Sequence, residues 1–187
     1  TVSGNAYTGE EGYVGLRRGI LQGQYNSWSQ GSSCMKVAAS DNIVVFRASE
    51  VAFLRAEGAL RGWNMGGSPK DLYEAGIRLS FEENNISSGV ESYLANTGKV
   101  EGYKDPLKGQ SGQTYDYSGS INTAVTVAWA GGDFEKSLEQ IITQKWIANF
   151  PNGMESWSEY RRTGYPKLMP MAVNVSSGFV DDTVGGG

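Results

Sequence analysis

The feature that most constrains this chain is a pair of helical patterns separated by a few residues. In A-S-E-V-A-F-L-R-A-E-G-A-L-R-G-W, Phe53, Ala56, Leu60 and Trp63 recur at i, i+3, i+7 and i+10. That period marks one face of a helix from about Ser49 to Arg61, with Ser49 placed to cap it and Gly62 to end it. After the loop N-M-G-G comes S-P-K-D-L-Y-E-A-G-I-R-L-S-F-E-E-N-N. Here Ser68 is the cap, Pro69 suits the first helical position and Asp71 complements the helix dipole. Leu72, Ala75 or Gly76, Leu79 and Glu83 trace its face, with Tyr73, Ile77 and Phe81 beside it. Two helices joined by so short a loop lie antiparallel. Ala56, Gly58, Ala59, Ala75 and Gly76 would let their backbones approach closely, as in a helical-repeat hairpin.

A second helical region follows a long excursion. Ser88 to Leu94 reads as a short helix, and residues 96–130 show no lasting helical period until an extended or helical apolar run from Ile121 to Trp129. A loop of this size is uncommon unless it binds something. Asp133 then caps a helix whose wide face carries Phe134, Leu138, Ile141, Ile142, Lys145 and Trp146. Pro151-Asn152-Gly153 stops it, and a further helix from about Met154 to Arg162 ends at Gly164 and Pro166. Upstream, Ile43-Val44-Val45-Phe46 is a short strand or extended run. The resulting organisation is a loop-rich entry (1–48), a helical hairpin (49–95), a variable loop (96–130), and a helical pair with a tail (131–187). The fold class is mainly α, with long loops and little β.

Composition narrows the chemistry. The chain has 187 residues, enough for one domain with a substantial core, and 26 glycines and 10 tyrosines fit a large ordered, non-repetitive surface. A net charge of −4, with no basic run longer than Arg17-Arg18 and Arg161-Arg162, makes nucleic acid a poor partner. With no histidine there is no Ser-His-Asp or Cys-His nucleophile and no usual zinc set. Cys34, the single cysteine, has no internal partner and no obvious activating base, so it reads as an inert thiol. No apolar window reaches a membrane span, no signal peptide is visible, and both ends read as cut from a longer protein.

Several constellations admit a functional and a plain structural reading. Gly66-Gly67-Ser68-Pro69 and Gly131-Gly132-Asp133 lack the Lys-Ser/Thr of a phosphate loop and read as helix entries. Glu50, Glu57, Asp71, Glu74, Asp133, Glu135, Glu139, Glu155 and Glu159 could in principle supply a glycosidase pair, but most occupy amphipathic surface positions. Glu57–Arg61 and Glu74–Arg78 are i, i+4 pairs. Asp116 and Asp181-Asp182 do not form a calcium loop, and no cofactor is implied. Tyr25, Trp28, Tyr103, Tyr115 and Tyr117 stand in polar, Gly-rich loops, where exposed rings suit stacking on a sugar's apolar face. Trp28, Tyr115 and Tyr117 are the candidate ligand-facing residues. The stretch W-S-E-Y-R-R-T-G-Y-P-K-L-M-P (Trp157 to Pro170) is either a ligand surface or a structural clamp. Trp157 and Arg161 can make a cation–π contact, and Glu155 and Glu159 flank Arg162, so the clamp is the expectation. It requires Trp157 largely buried and Arg161 or Arg162 paired with an acid.

Three blocks carry a resemblance: E-V-A-F-L-R-A-E-G-A-L-R-G-W-N-M-G-G (Glu50 to Gly67), Y-E-A-G-I-R-L-S-F-E (Tyr73 to Glu82) and Q-I-I-T-Q-K-W-I-A-N-F-P-N-G-M-E-S-W-S-E-Y-R-R-T-G-Y-P (Gln140 to Pro166). Together they resemble the C-terminal part of the SusD/RagB family, from about Gly15 to Asn174. The resemblance implies a tetratricopeptide-like helical fold in a surface lipoprotein of the Bacteroidetes outer membrane. It implies binding of oligosaccharide or polysaccharide for import through a SusC-like TonB-dependent transporter, and no enzymatic activity. Family members are two to three times this length and carry a lipid-bearing Cys near their start, which Cys34 is not. The matched motifs are structural, so no glycan contact transfers from them. The rival readings are a scaffold or transporter-docking portion that does not itself bind sugar, and, further off, a glycosidase.

Overall fold

The computed structural model describes residues 19, 33, 38–40, 43–99, 103, 116–117 and 125–171. The chain divides into two compact units: one of Asn42–Val100 with Thr123–Leu168, the other of Thr1–Asp41, Glu101–Asn122 and Met169–Gly187. All five helices of the described residues lie in the first unit: α1 (Ala48–Leu60), α2 (Pro69–Glu83), α3 (Val90–Leu94), α4 (Phe134–Ala148) and α5 (Gly153–Thr163). In the second unit, Tyr103 and Tyr117 form an isolated antiparallel bridge, exchanging two N–H···O bonds of 2.8 Å.

The helix ends follow local chemistry. Ser68 Oγ accepts from Asp71 N–H at 3.1 Å, and Pro69 opens α2. Asp133 accepts from Glu135 N–H to start α4, and Asn152 from Glu155 N–H to start α5. Gly62, at φ +85°, ends α1: its N–H reaches Ala59 O and Trp63 N–H reaches Gly58 O, the paired bonds of a Schellman turn. Gly164, at φ +73°, ends α5 in the left-handed region.

The start of α1 departs from the sequence expectation. The helix begins at Ala48, its N-cap is Arg47, and Ser49 does not cap it. The carboxylate of Glu83, at the end of α2, accepts from Ser49 N–H at 3.0 Å and Ser49 Oγ–H at 2.6 Å. An anion thus satisfies the positive end of the α1 dipole from outside the helix.

The core lies between α1, α2 and α4. Phe53, Ala56, Leu72, Tyr73, Ile77, Ile141 and Ala148 form one buried cluster, and Leu138, Ile142 and Tyr165 a second. The small-residue prediction holds at Gly76, where a Cβ would meet the Phe53 ring at 2.7 Å. Gly58 is different: it faces Met65 and Trp63 of the following loop rather than α2. Trp63, expected on the core face, is 62% exposed, because the Schellman turn carries the chain off the helix before it.

The apolar run before α4 is not helical in its described part. Its backbone is satisfied by neighbouring side chains instead. Gln140 Nε2 donates to Thr126 O and Ala128 O, both at 2.8 Å, and Tyr73 O–H donates to Val127 O at 2.7 Å. Gln140 Oε1 accepts from Ala130 N–H, while Asn96 O accepts from Ala128 N–H. Trp129 packs tilted against Tyr73, with ring centroids 5.1 Å apart. The strap is therefore held to α2 and α4 without a sheet. Ile43 to Phe46 is exposed and belongs to no described helix or strand.

Candidate functional site

The densest chemistry of the helical unit is a chain of charges linking α1, α4 and α5. Lys145, on α4 among Leu138, Ile141 and Ile142, is 1% exposed. A lysine on the apolar face of a helix must find carboxylates on other elements. Its Nζ lies 2.6 Å from Glu159, 3.2 Å from Glu155 and 3.4 Å from Glu50. Glu155, Glu159 and Arg162 stand at i, i+4 and i+7 on α5, and Glu50 and Glu57 at i and i+7 on α1, so each helix presents its charges along one side.

Arg162 continues the chain. Its Nη1 and Nη2 donate to the two oxygens of Glu57, each at 2.6 Å, and Nη2 and Nε donate to Glu159 Oε2. Arg61 also pairs with Glu57, at 2.8 Å. A forked guanidinium is the group suited to bridging two carboxylates in this way. Burial would raise the Glu57 carboxyl, but the bonds from Arg162 and Arg61 outweigh it and hold the group below its ordinary range. Burial does raise Glu50, with Lys145 only partly opposing it. For Lys145 the cost of burial is overcome by Glu159, Glu155 and Glu50, which keep the ammonium charged above its usual range.

The exit from α5 is anchored to the same neighbours. Tyr165 is buried against Leu138 and Ile142, and its O–H donates to Glu135 Oε2 at 2.9 Å. Burial and that acid push its phenol up to about 12.

The Trp157-to-Pro170 stretch is thus a clamp in its charges but not in its tryptophan. Arg162 is paired with two acids, and Arg161 lies 6.0 Å from the Trp157 ring, as expected. Glu155 departs from the expectation by serving Lys145 rather than Arg162. Trp157 is corrected: it is 54% exposed and stacks on Tyr160. Two residues from Glu159, it points to the far side of a helix whose charged side faces inward.

Of the candidate ligand-facing residues, Tyr117 is half-buried in its bridge to Tyr103, while Trp28 and Tyr115 lie outside the described residues. Tyr25, Cys34 and Asp181-Asp182 lie outside them too. Among the described residues no cluster of His, Cys, Asp or Glu could hold a metal ion, and no helix is long and apolar enough to cross a membrane. Sequence reading placed Lys145 on its helix face but missed its role as a hub. The signal was a lysine among Leu138, Ile141 and Ile142.

A helical hairpin closed tightly at Gly76, with a second helical pair tied to it by buried ion pairs, makes the described part a mainly α protein with tetratricopeptide-like helix pairs. Within that class, a family model described as "SusD-like: Susd and RagB outer membrane lipoprotein" matches residues 2–185, and the chain belongs to that family. A SusD homologue from Bacteroides ovatus ATCC 8483 is 86% identical, with a TM-score of 0.87 over 98% of this chain and 37% of its own. A SusD homologue from Bacteroides uniformis ATCC 8492 is 47% identical, with a TM-score of 0.80 over 92% of this chain and 35% of its own. A chitin-binding SusD homologue from Flavobacterium johnsoniae is 45% identical, with a TM-score of 0.76 over 94% of this chain and 35% of its own. The chain therefore spans little more than a third of these structures, consistent with a C-terminal portion. No curated protein matches the chain.

Proposed function

We propose that this chain is part of a non-catalytic glycan-binding lipoprotein that captures oligosaccharide or polysaccharide at the outer membrane for a SusC-like TonB-dependent transporter. The observation that carries this reading is the family match over residues 2–185, joined by a chitin-binding relative similar over 94% of the chain. The charge chain favours a division of labour within the portion. Glu57 and Glu159 are each engaged by Arg162, which suits a scaffold better than an acid–base pair. Sugar contact then falls to the loop aromatics Trp28, Tyr115 and Tyr117, whose rings would stack on a pyranose face.

Calorimetric titration of the whole polypeptide with oligosaccharides, chitin oligomers among them, tests this reading. Replacing Trp28, Tyr115 and Tyr117 by Ala, one at a time, should weaken binding on the order of tenfold for each ring that stacks. Unchanged affinity in all three moves the site elsewhere and leaves this portion a scaffold. Release of reducing sugar by the purified protein, lost on replacing one carboxylate, would instead make it a glycosidase.

A further inference from the structure

The chain leaves the helical unit after Val100 and returns to it at Thr123, and one helix holds both feet of that excursion. Gln140 and Gln144 stand at i, i+4 on α4, so they share a face, and both are buried, at 1% and 7% exposure. Gln140 takes the returning foot. Its Nε2 donates to Thr126 O and Ala128 O and its Oε1 accepts from Ala130 N–H, which engages both donors of the amide and its carbonyl. Gln144 takes the outgoing foot, where its Oε1 accepts from the Tyr93 O–H of α3 at 3.0 Å. The two feet are then joined directly, by Ala128 N–H donating to Asn96 O at 2.8 Å.

Bonds of this kind do what apolar cover does not. Val127 and Trp129 already pack on the cluster around Phe53, so the returning foot is held down by its own side chains. That contact is non-directional, whereas three bonds from one buried amide fix which backbone atoms lie where. Buried polar groups are a costly way to add stability and an effective way to set position. The segment they frame carries Tyr115 and Tyr117, and Tyr117 is itself closed on Tyr103 by two N–H···O bonds. It is therefore tied at its feet and again within. Fixing a loop in advance removes part of the ordering cost that ligand binding would otherwise carry.

We propose that Gln140 and Gln144 are positioning residues for sugar binding: by holding both feet of the excursion they pre-order the segment that carries Tyr115 and Tyr117. Both glutamines are buried, so they act through that segment and not by touching the ligand. The inference rests on the reading that these tyrosines meet sugar, and its test separates the two.

The whole natural polypeptide is compared with its Gln140→Met and Gln144→Met variants, first by amide hydrogen exchange without sugar and then by calorimetric titration with chitin hexamer. In Gln140→Met the amides of Tyr103 and Tyr117 should exchange about tenfold faster, through local opening. Hexamer affinity should fall about tenfold at a temperature where the variant is fully folded. Gln144→Met, which loses one bond, should show both effects to a smaller degree and keeps the test open if Gln140→Met does not fold. Lys145→Met breaks the ion pairs of the same helix but no bond to the feet, so it should leave both readouts unchanged. Unchanged exchange at Tyr103 and Tyr117 in the glutamine variants overturns the proposal whatever the sugar result, and so does an equal loss of affinity in Lys145→Met, which would reduce the glutamines to general stability. If Tyr117→Ala weakens binding but the glutamine variants do not, the positioning role is wrong and the sugar reading stands. If the hexamer does not bind, or neither Tyr115→Ala nor Tyr117→Ala alters its binding, the sugar reading of the loop fails and the positioning role falls with it.

Discussion

Lys145 shows how one residue can tie three helices together at a cost. Taking an ammonium to 1% exposure is unfavourable, and its three carboxylate neighbours offset that penalty. Replacing it with Met keeps the volume and removes the charge. Glu159 would retain Arg162, but Glu50, 6% exposed, would lose the only cation paired with it among the described residues. Lys145→Met should therefore lower stability by about 3–5 kcal/mol in urea unfolding, the usual cost of removing one partner of a buried pair. A loss below about 1 kcal/mol would show the network to be replaceable by apolar packing. The position of Lys145 was legible in the helical period; its partners were not, because Glu50 stands 95 residues away in sequence. The exposure of Trp157 was illegible for another reason: the pattern of α5 separates its rings from its charges but does not show that the charged side, with Glu155, Glu159 and Arg162, is the one that faces inward.

At the scale of elements, the α1–α2 pairing rests on how closely a ring can lie on a backbone. At Gly76 an added Cβ would sit 2.7–2.9 Å from three atoms of the Phe53 ring, which is fixed in the core with no room to move. At Gly58 the nearest atoms belong to the Met65 side chain, at 2.9 and 3.0 Å, which is more flexible. Gly76→Ala should therefore destabilise by about 1–3 kcal/mol despite the better helix propensity of alanine, and Gly58→Ala by clearly less. Thermal unfolding of the two variants side by side checks the order, and equal effects would mean that α2 can shift away from Phe53. The sequence made the close pairing readable through its small residues, and α2, α4 and the end of α5 through Ser68, Asp133 and Gly164, whose signals are local. The start of α1 escaped because its anion, Glu83, arrives from the far end of the next helix. For residues 125–130 the sequence left an extended and a helical reading open, and periodicity could not choose between them because the backbone partners of the segment are the side chains of Gln140 and Tyr73.

For the whole molecule, these groups set the pH range over which the fold holds. Glu57, held below its ordinary value of 4.5 by Arg162 and Arg61 against the cost of burial, contributes stability that is present above that value. The contribution disappears as pH falls through the depressed folded-state value. Glu50, raised by burial, acts in the opposite sense and makes the acid loss shallower than Glu57 alone would give. On the alkaline side, Lys145 lies above its ordinary 10.5, and Tyr165 is raised from 10.0 to about 12. Both contributions are complete below those ordinary values and are lost as pH climbs through the raised ones. Urea midpoints at fixed ionic strength should therefore form a plateau through neutral pH, falling below about 4.5 and again above about 10. Glu50→Gln removes the compensating group, so its acid limb should be steeper than that of the natural sequence. An acid limb that stays flat in both proteins would mean that the Glu57–Arg162 contact adds nothing in solution.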